Sequence, residues 1–322
     1  GPTGVVEIMA PRTYDRKVVD GKLTRVPRNV SSKGDNLLNP KYEAIMKIDE
    51  NDQLAVNKRE FYLLYENIME EYLNMLPASV KESFKKPFSY FDNNIGSTLS
   101  LLECMKESNV FKLIFSSSAQ VYSDKQPLPV RETSKIGNVG NPYGNTKYII
   151  EQILTELIKV DKRWSIRFAR YFNPISNHSS GFIKENPKGI PDNLVPCIVK
   201  VAKKELPYLK VFGKNYKTKD GTCIRDYIHV MDLADGHTAM IKNNRLKKGL
   251  KVYNFGTGKG SSVLEVIKEF ENQTGIAIPY KFTSRRKDDI ETSFCSPRKA
   301  FKDLRWKAKY NLSQAMIDVK KI

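Results

Sequence analysis

Cysteine is scarce in this chain: Cys104, Cys197, Cys223 and Cys295 are the only four in 322 residues. They are scattered and form no Cys-x-x-Cys pair, so neither a disulfide framework nor a zinc site is indicated, and a reducing compartment is the expected setting. Long apolar runs are missing too, and no stretch reads as a membrane span. The first residues lack the charged-then-apolar pattern of a secretory leader. Internal repeats and low-complexity tracts are also absent. What remains is a 40% hydrophobic fraction. Over this length that suffices to bury a sizeable core in one two-lobed domain or two modest ones.

Charge is the strongest bulk property. The formal net charge is +18. Residues 1–80 hold 11 basic and 12 acidic side chains, so the excess, +19, sits on residues 81–322. A surface of this sign attracts polyanions, nucleic acid above all. Basic clusters occur at Lys200, Lys203, Lys204, Lys210, Lys214, Lys217 and Lys219, and again at Arg298, Lys299, Lys302, Arg305, Lys307 and Lys309.

Along the chain, residues 8–40 mix Arg12, Arg16, Lys17, Lys22, Arg25, Arg28 and Lys33 with Pro11, Gly21, Pro27 and Gly34. Residues 1–40 therefore read as an irregular basic arm. Helices are expected at 41–52, 58–75 and 90–107, from apolar residues at helical spacing. Residues 110–117 read as a buried strand, 143–160 as an amphipathic helix and 164–172 as the next strand. Strand, helix, strand is the pattern of a parallel α/β sheet. The expected fold is a doubly wound, Rossmann-like α/β domain over 41–172, followed by a smaller C-terminal lobe over 173–322.

One constellation carries chemistry. Tyr143 and Lys147 are four residues apart at the start of a helix, which puts both on one face. An ammonium near a phenol favours the phenolate and makes a usable general base or acid. Ser118 ends the preceding strand, at the edge where open α/β sheets place ligands.

With these residues placed, the chain resembles the UDP-glucose 4-epimerases, extended short-chain dehydrogenases/reductases. The resemblance rests on SSSAQVY (116–122), NPYGNTK (141–147), RYFNPIS (170–176), GIPDNLVP (189–196), the run from Val211 to His237 with RDYIHVMDLADGH, and YNFGTGKGSSVLEV (253–266). It covers about Glu82 to Trp306. It implies that Tyr143 exchanges a proton with the sugar 4-hydroxyl while NAD exchanges the C4 hydride. Ser118 would bind the same oxygen, and Lys147 would hold the nicotinamide ribose and lower the Tyr143 pKa. It further implies that Asn173, Asn193, Leu194, Phe212, Arg225, Arg286 and Asp289 hold the UDP-sugar; the two arginines suit a diphosphate.

The same resemblance exposes departures. The family binds the NAD pyrophosphate on a GxxGxxG turn after its first strand. The nearest string here, Gly1 to Glu7, puts Glu7 at the third glycine and is followed by Pro11. The family's FAGLKAVGES reads NMLPASVKES (74–83), which loses both glycines and the cofactor-side lysine. Ser123, Ser176 and Asp288 stand where the family has glycine. These losses leave the N-terminal strand and fingerprint degenerate and the cofactor unassigned, with NAD expected only if activity is retained. Together with the basic surface they lead to a first expectation: a repurposed, inactive homologue acting as a structural subunit of a large RNA-containing assembly, a mitochondrial ribosome in the matrix being favoured over a cytoplasmic setting. The alternatives are an active NAD-dependent UDP-galactose 4-epimerase, or a UDP-sugar-binding regulator without NAD. No metal and no membrane association are expected.

Overall fold

The structure is a computed structural model. It describes residues 79–124, 126–181, 191–242, 248–286 and 289–320, together with the backbone of three N-terminal strands. Those strands are β1 (Val6–Ile8), β2 (Tyr14–Val19) and β3 (Lys22–Pro27). Next come α1 (Val80–Lys85), α2 (Pro87–Phe91), a π-helical turn over Asp92–Gly96, and α3 (Ser97–Glu107). The expected helix at 90–107 is therefore present, widened in its middle. β4 (Lys112–Ser118), α4 (Pro142–Val160) and β5 (Ser165–Tyr171) follow as the sequence predicts. The expected helices at 41–52 and 58–75 lie outside the described residues.

Four parallel strands form the main sheet in the order β1-β4-β5-β10, where β10 is Gly249–Phe255. The apolar runs of β4 and β5 explain their central place: both are covered on two faces. On one face Leu113, Phe115, Ile166 and Phe168 pack against Leu102 and Met105 of α3 and Ile150 and Leu154 of α4. On the other, Ile114, Ala169, Tyr253 and Phe255 pack against Met240, Ala300 and Trp306. Helices on both faces of a parallel sheet are the doubly wound arrangement expected.

The N-terminal residues differ from an irregular arm. β1 pairs in parallel with β4, Val6 opposite Leu113, and closes an edge that would otherwise present unpaired backbone groups. β2 and β3 form an antiparallel hairpin in which Val19 opposes Lys22. Only Asp20 and Gly21 separate the two strands. Asp-Gly is the residue pair that favours a two-residue hairpin connection. The density of charge in this stretch hid a short alternating pattern with its own turn residues.

The C-terminal lobe contains β6 (Asn173–Ile175), α5 (Leu194–Ala202), β7 (Leu209–Phe212), β8 (Ile224–Arg225), β9 (Tyr227–His229) and α6 (Val230–Lys242). After β10 come β11 (Ser261–Ser262), α7 (Val263–Thr274), β12 (Tyr280–Thr283), β13 (Thr292–Ser293), α8 (Arg298–Leu304) and α9 (Leu312–Lys320). Its core joins Val195, Ile198 and Val201 of α5 to Val266, Ile267 and Phe270 of α7 and Met316 and Val319 of α9. Among the described residues no helix is long and apolar enough to cross a membrane.

Two of the glycine replacements can be judged. Ser176 has φ +79°, so a side chain occupies backbone that favours glycine, at a cost of roughly 1–2 kcal/mol. Its hydroxyl donates to the Ala315 carbonyl at 2.8 Å, which offsets part of that cost. Ser123 is not among the positive-φ residues, and its hydroxyl donates to the Gly137 carbonyl at 2.8 Å, so it carries no such strain. Asp288 lies outside the described residues.

A buried ion pair ties α4 to the sheet. Glu151 and Arg170 are both almost fully buried; Arg170 Nε donates to Glu151 Oε1 at 2.8 Å, and the Ser117 hydroxyl donates to the same oxygen at 2.6 Å. Arg170 also lies 4.9 Å from the centre of the Tyr122 ring. Removing the carboxylate strands a buried guanidinium. Glu151→Ala should therefore lose about 3–5 kcal/mol of unfolding free energy in urea titration. A loss below about 1 kcal/mol, the scale of a solvated pair, would show that water reaches Arg170.

Candidate active site

The site is built from the end of β4 and the start of α4. Asn141 caps α4: its Oδ1 accepts from the Gly144 amide at 2.7 Å, and Pro142 occupies the first turn, where its missing N–H costs nothing. This start fixes Tyr143 in the first turn and Lys147 one turn later. Gly144 is needed for close approach, since a Cβ there would lie 2.6 Å from Val139 Cγ1. Tyr143, Thr146, Ile150, Glu151 and Leu154 are the buried stripe that turns this face of α4 inward. On the sheet side, β4 ends at buried Ser118, whose Oγ accepts from the Gln120 amide at 3.2 Å.

Ser118, Tyr143 and Lys147 thus meet at the carboxyl edge of the sheet, and the expected lowering of the Tyr143 pKa by Lys147 is not seen. Burial pushes the Tyr143 phenol up to about 12, and a hydrogen bond with Ser118 opposes this. Burial also brings Lys147 down to about 8. The ammonium donates to the Ser116 carbonyl at 2.9 Å and stands 5.9 Å from the Tyr143 ring centre. Ser118 is thus the group that acts on the phenol, while Lys147 is anchored to the strand behind it. Tyr90 closes the other side, edge-on to Tyr143 with ring centres 6.4 Å apart.

A second cluster lies in the C-terminal lobe. Arg225 Nη2 is paired with Asp289 Oδ1, and Arg225 Nη1 donates to the Ile224 carbonyl at 2.7 Å. The Tyr216 hydroxyl donates to Asp289 Oδ2 at 3.4 Å. Arg286 stacks over the Phe212 ring, 4.2 Å from its centre, and Nη2 reaches the Asp192 carbonyl at 3.2 Å. Cys223 and Tyr227 feel the charges of Arg225, Asp289 and Arg286, and burial raises both of their pKa values. Phe212, Arg225, Arg286 and Asp289 are therefore one group. Exposed Asn193 occupies the position just before α5, beside Asp192, and Leu194 begins that helix and packs on the lobe's core. Exposed Asn173 starts β6, on the crossover between the two clusters.

Asp226 joins the halves, and sequence reasoning passed over it although it stands inside the quoted RDYIHV run. Its carbonyl accepts from the Asn173 amide at 2.9 Å and its amide donates to the Ser293 carbonyl at 3.0 Å. Its buried carboxylate accepts from the amides of Thr257 at 2.8 Å, Gly258 at 3.0 Å and Cys295 at 3.2 Å. A Cβ at Gly256 would lie 2.5 Å from Asp226 Oδ2, so the Gly-Thr-Gly of 256–258 is the seat for this carboxylate. Among the described residues no group of His, Cys, Asp or Glu is placed to hold a metal.

Comparison with known proteins follows the same lines. Residues 63–256 match the NAD dependent epimerase/dehydratase family. UDP-glucose 4-epimerase of Pasteurella multocida is 47% identical over 240 residues, 74% of this chain and 71% of that protein. The Bacillus subtilis enzyme is 42% identical over 294 residues, 88% of this chain and 86% of its own length. The crystal structure of the Bifidobacterium longum enzyme, in complex with NAD+ and UDP, superposes with a TM-score of 0.74 at 45% identity, covering 80% of this chain and 79% of that one.

These relatives overturn the expectation of a structural subunit of an RNA-containing assembly: proteins this similar over most of the chain are UDP-glucose 4-epimerases, and none of those named points to a ribosome. Some of the clustered lysines are engaged locally. Lys200, Lys219, Lys299 and Lys309, drawn from the basic clusters, lie against Glu205, Glu265, Asp303 and Asp235 as surface or half-buried ion pairs. A net charge alone does not specify a polyanionic partner. With a family match over more than half of its residues and relatives 42–47% identical, the chain belongs to the NAD-dependent epimerase/dehydratase family, among its UDP-glucose 4-epimerases.

Proposed function

We propose that this protein is an NAD-dependent UDP-glucose 4-epimerase that interconverts UDP-galactose and UDP-glucose. The observation that carries this reading is the hydrogen-bonded Ser118–Tyr143 pair, held at the sheet edge where the helix cap and the buried Glu151 fix the register of α4.

The nicotinamide side of an NAD site fits the residues present. An ammonium has three N–H donors, and Lys147 gives one to Ser116, which leaves donors for ribose hydroxyls. On the pyrophosphate side the chain departs from its family, since residues 9–13, which follow β1, contain no glycine. NAD, when bound, would supply the hydride acceptor and donor, and Lys147 would hold its nicotinamide ribose. Tyr143 takes the proton of the sugar 4-hydroxyl as the C4 hydride leaves, and Ser118 hydrogen-bonds the same oxygen. Once the 4-keto sugar has turned over, Tyr143 would return the proton to the same oxygen. Asn173, Asn193, Leu194 and Phe212 flank the nucleotide sugar. Arg225 and Arg286 meet the diphosphate with charge-assisted bonds. Asp289 holds Arg225 in place before the ligand arrives, which reduces the ordering cost of binding.

Three outcomes are expected. Natively purified protein, denatured and assayed for nicotinamide, should release close to one NAD per chain. No NAD, with none taken up on addition, would overturn the reading; UDP binding that depends on Arg225 would then identify a UDP-sugar-binding protein instead.

Tyr143→Phe should lower kcat on UDP-galactose by roughly 10²–10⁴-fold, the usual contribution of a positioned acid–base group, with UDP affinity unchanged. Equal loss of both would assign Tyr143 to packing.

Lys147→Met should abolish turnover yet stabilise the fold at pH 7. The wild-type Lys147 is charged in both folded and unfolded protein below its folded value of about 8, and there its burial opposes folding in full. Between about 8 and the ordinary value of 10.5 the unfolded state holds more protons, so wild-type stability rises with pH. The advantage of Lys147→Met in thermal unfolding should therefore shrink across that window. A constant difference from pH 7 to pH 11 would contradict a burdened ammonium.

A further inference from the structure

Two segments 113 residues apart meet at one carboxylate. Asp192 Oδ2 accepts from the Ser79 hydroxyl, and Asp192 Oδ1 lies 3.5 Å from Lys81 Nζ. Ser79 and Lys81 stand at the start of α1, in the stretch where this chain reads NMLPASVKES against the family's FAGLKAVGES. Ser79 is itself fastened to the sheet-side cluster: its carbonyl accepts from the Tyr90 hydroxyl at 2.9 Å, and its amide donates back to that oxygen at 3.1 Å. Tyr90 is the ring set edge-on against Tyr143. On the other side, the Asp192 carbonyl accepts from Arg286, and the next two residues are Asn193 and Leu194. A continuous series of contacts therefore runs from Tyr143 through Tyr90, Ser79 and Asp192 to Arg286.

We propose that Asp192 is a positioning residue for the UDP-sugar: by binding Ser79 and Lys81 it sets the span between the proton-transfer end and the nucleotide end of the cleft. This rests on the epimerase reading above. A substrate that must present C4 to Tyr143 while its diphosphate meets Arg225 and Arg286 needs that span fixed, because misplacement of reacting groups by about 1 Å costs rate or affinity. The two bonds differ in kind. Ser79 to Asp192 is a charge-assisted hydrogen bond between half-buried groups, whereas Lys81 is exposed and its pairing weakens with salt. Among the described residues, Asp192 links the segment carrying Asn193 and Leu194 to α1 through its side chain and to Arg286 through its backbone.

The test compares full-length wild type, Asp192→Ala, Asp192→Asn and Arg225→Ala. The readouts are kcat and KM for UDP-galactose, UDP binding by calorimetry, and amide exchange of residues 192–194. Asp192→Ala is preferred to Ser79→Ala because the Ser79 hydroxyl also caps α1 through the Glu82 amide at 3.0 Å. Asp192→Ala should raise KM and the Kd for UDP about tenfold while kcat stays within about twofold, as expected when a charge-assisted bond that supports binding is lost. Asp192→Asn keeps an acceptor for Ser79 and loses the charge facing Lys81. It should fall between the two, and its KM should depend less steeply on salt than that of wild type, by the share that the Lys81 pair contributes. Unchanged KM and UDP affinity in Asp192→Ala would overturn the proposal, as would a fall in kcat and thermal stability with no selective effect on KM. If wild type neither turns over UDP-galactose nor binds UDP, the epimerase reading fails on its own. Amide exchange then decides the role of Asp192: faster exchange at 192–194 in Asp192→Ala upholds the span, and equal exchange overturns it.

Discussion

The Glu151 carboxylate, buried beneath α4, is the constraint on which the rest of the site depends. It receives Arg170 from β5 and the hydroxyl of Ser117 from β4. One charged group thus fixes a helix against two strands, at the level where Tyr143, Lys147 and Ser118 must converge. Its partners extend the constraint. Arg170 faces Tyr122, and the Tyr122 hydroxyl donates to Asn254 Oδ1 on β10 at 2.6 Å. The Asn254 amide donates to Glu132 at 2.9 Å. A polar network this deep is tolerable because its members are paired, and in return it allows a single register of helix on sheet. An apolar contact in its place would tolerate a shift of α4 that separated Tyr143 from Ser118.

Legibility in the sequence followed the range of the interactions. The strand–helix–strand unit from Lys112 to Tyr171 could be read because its apolar runs, its Asn-Pro cap and its Tyr-Lys spacing are local features. Asp226, Asp192 and Glu151 could not be read, because each acts by bonds to residues far along the chain. The Ser118–Tyr143 pairing was legible, whereas the anchoring of Lys147 to the Ser116 carbonyl was not, since it depends on the depth of the pocket. The hairpin of β2 and β3 was obscured by dense charge, although Asp20 and Gly21 marked its turn. Charge misled the functional reading for a different reason: a net excess of +18 attracts anions in general and specifies no one partner, whereas the relatives are UDP-glucose 4-epimerases.

Several features trade stability for use. Lys147 keeps an ammonium where burial disfavours charge, and Arg225 is held by Asp289 in a pose that leaves guanidinium edges for an anion. In both cases the fold positions a cation in advance rather than letting solvent arrange it. Asp226 supports the second case from behind, since the three amides that converge on its carboxylate fix the short strand carrying Arg225.

Ser176 shows how far such support reaches. Its left-handed backbone is braced by the carbonyl of Ala315, in the helix that lies 139 positions further along the chain. That last helix therefore works as a splint. Through a backbone carbonyl it steadies the segment that follows Asn173. In a chain made from its amino end, the turn at Ser176 cannot gain this brace until the helix holding Ala315 has been produced and docked.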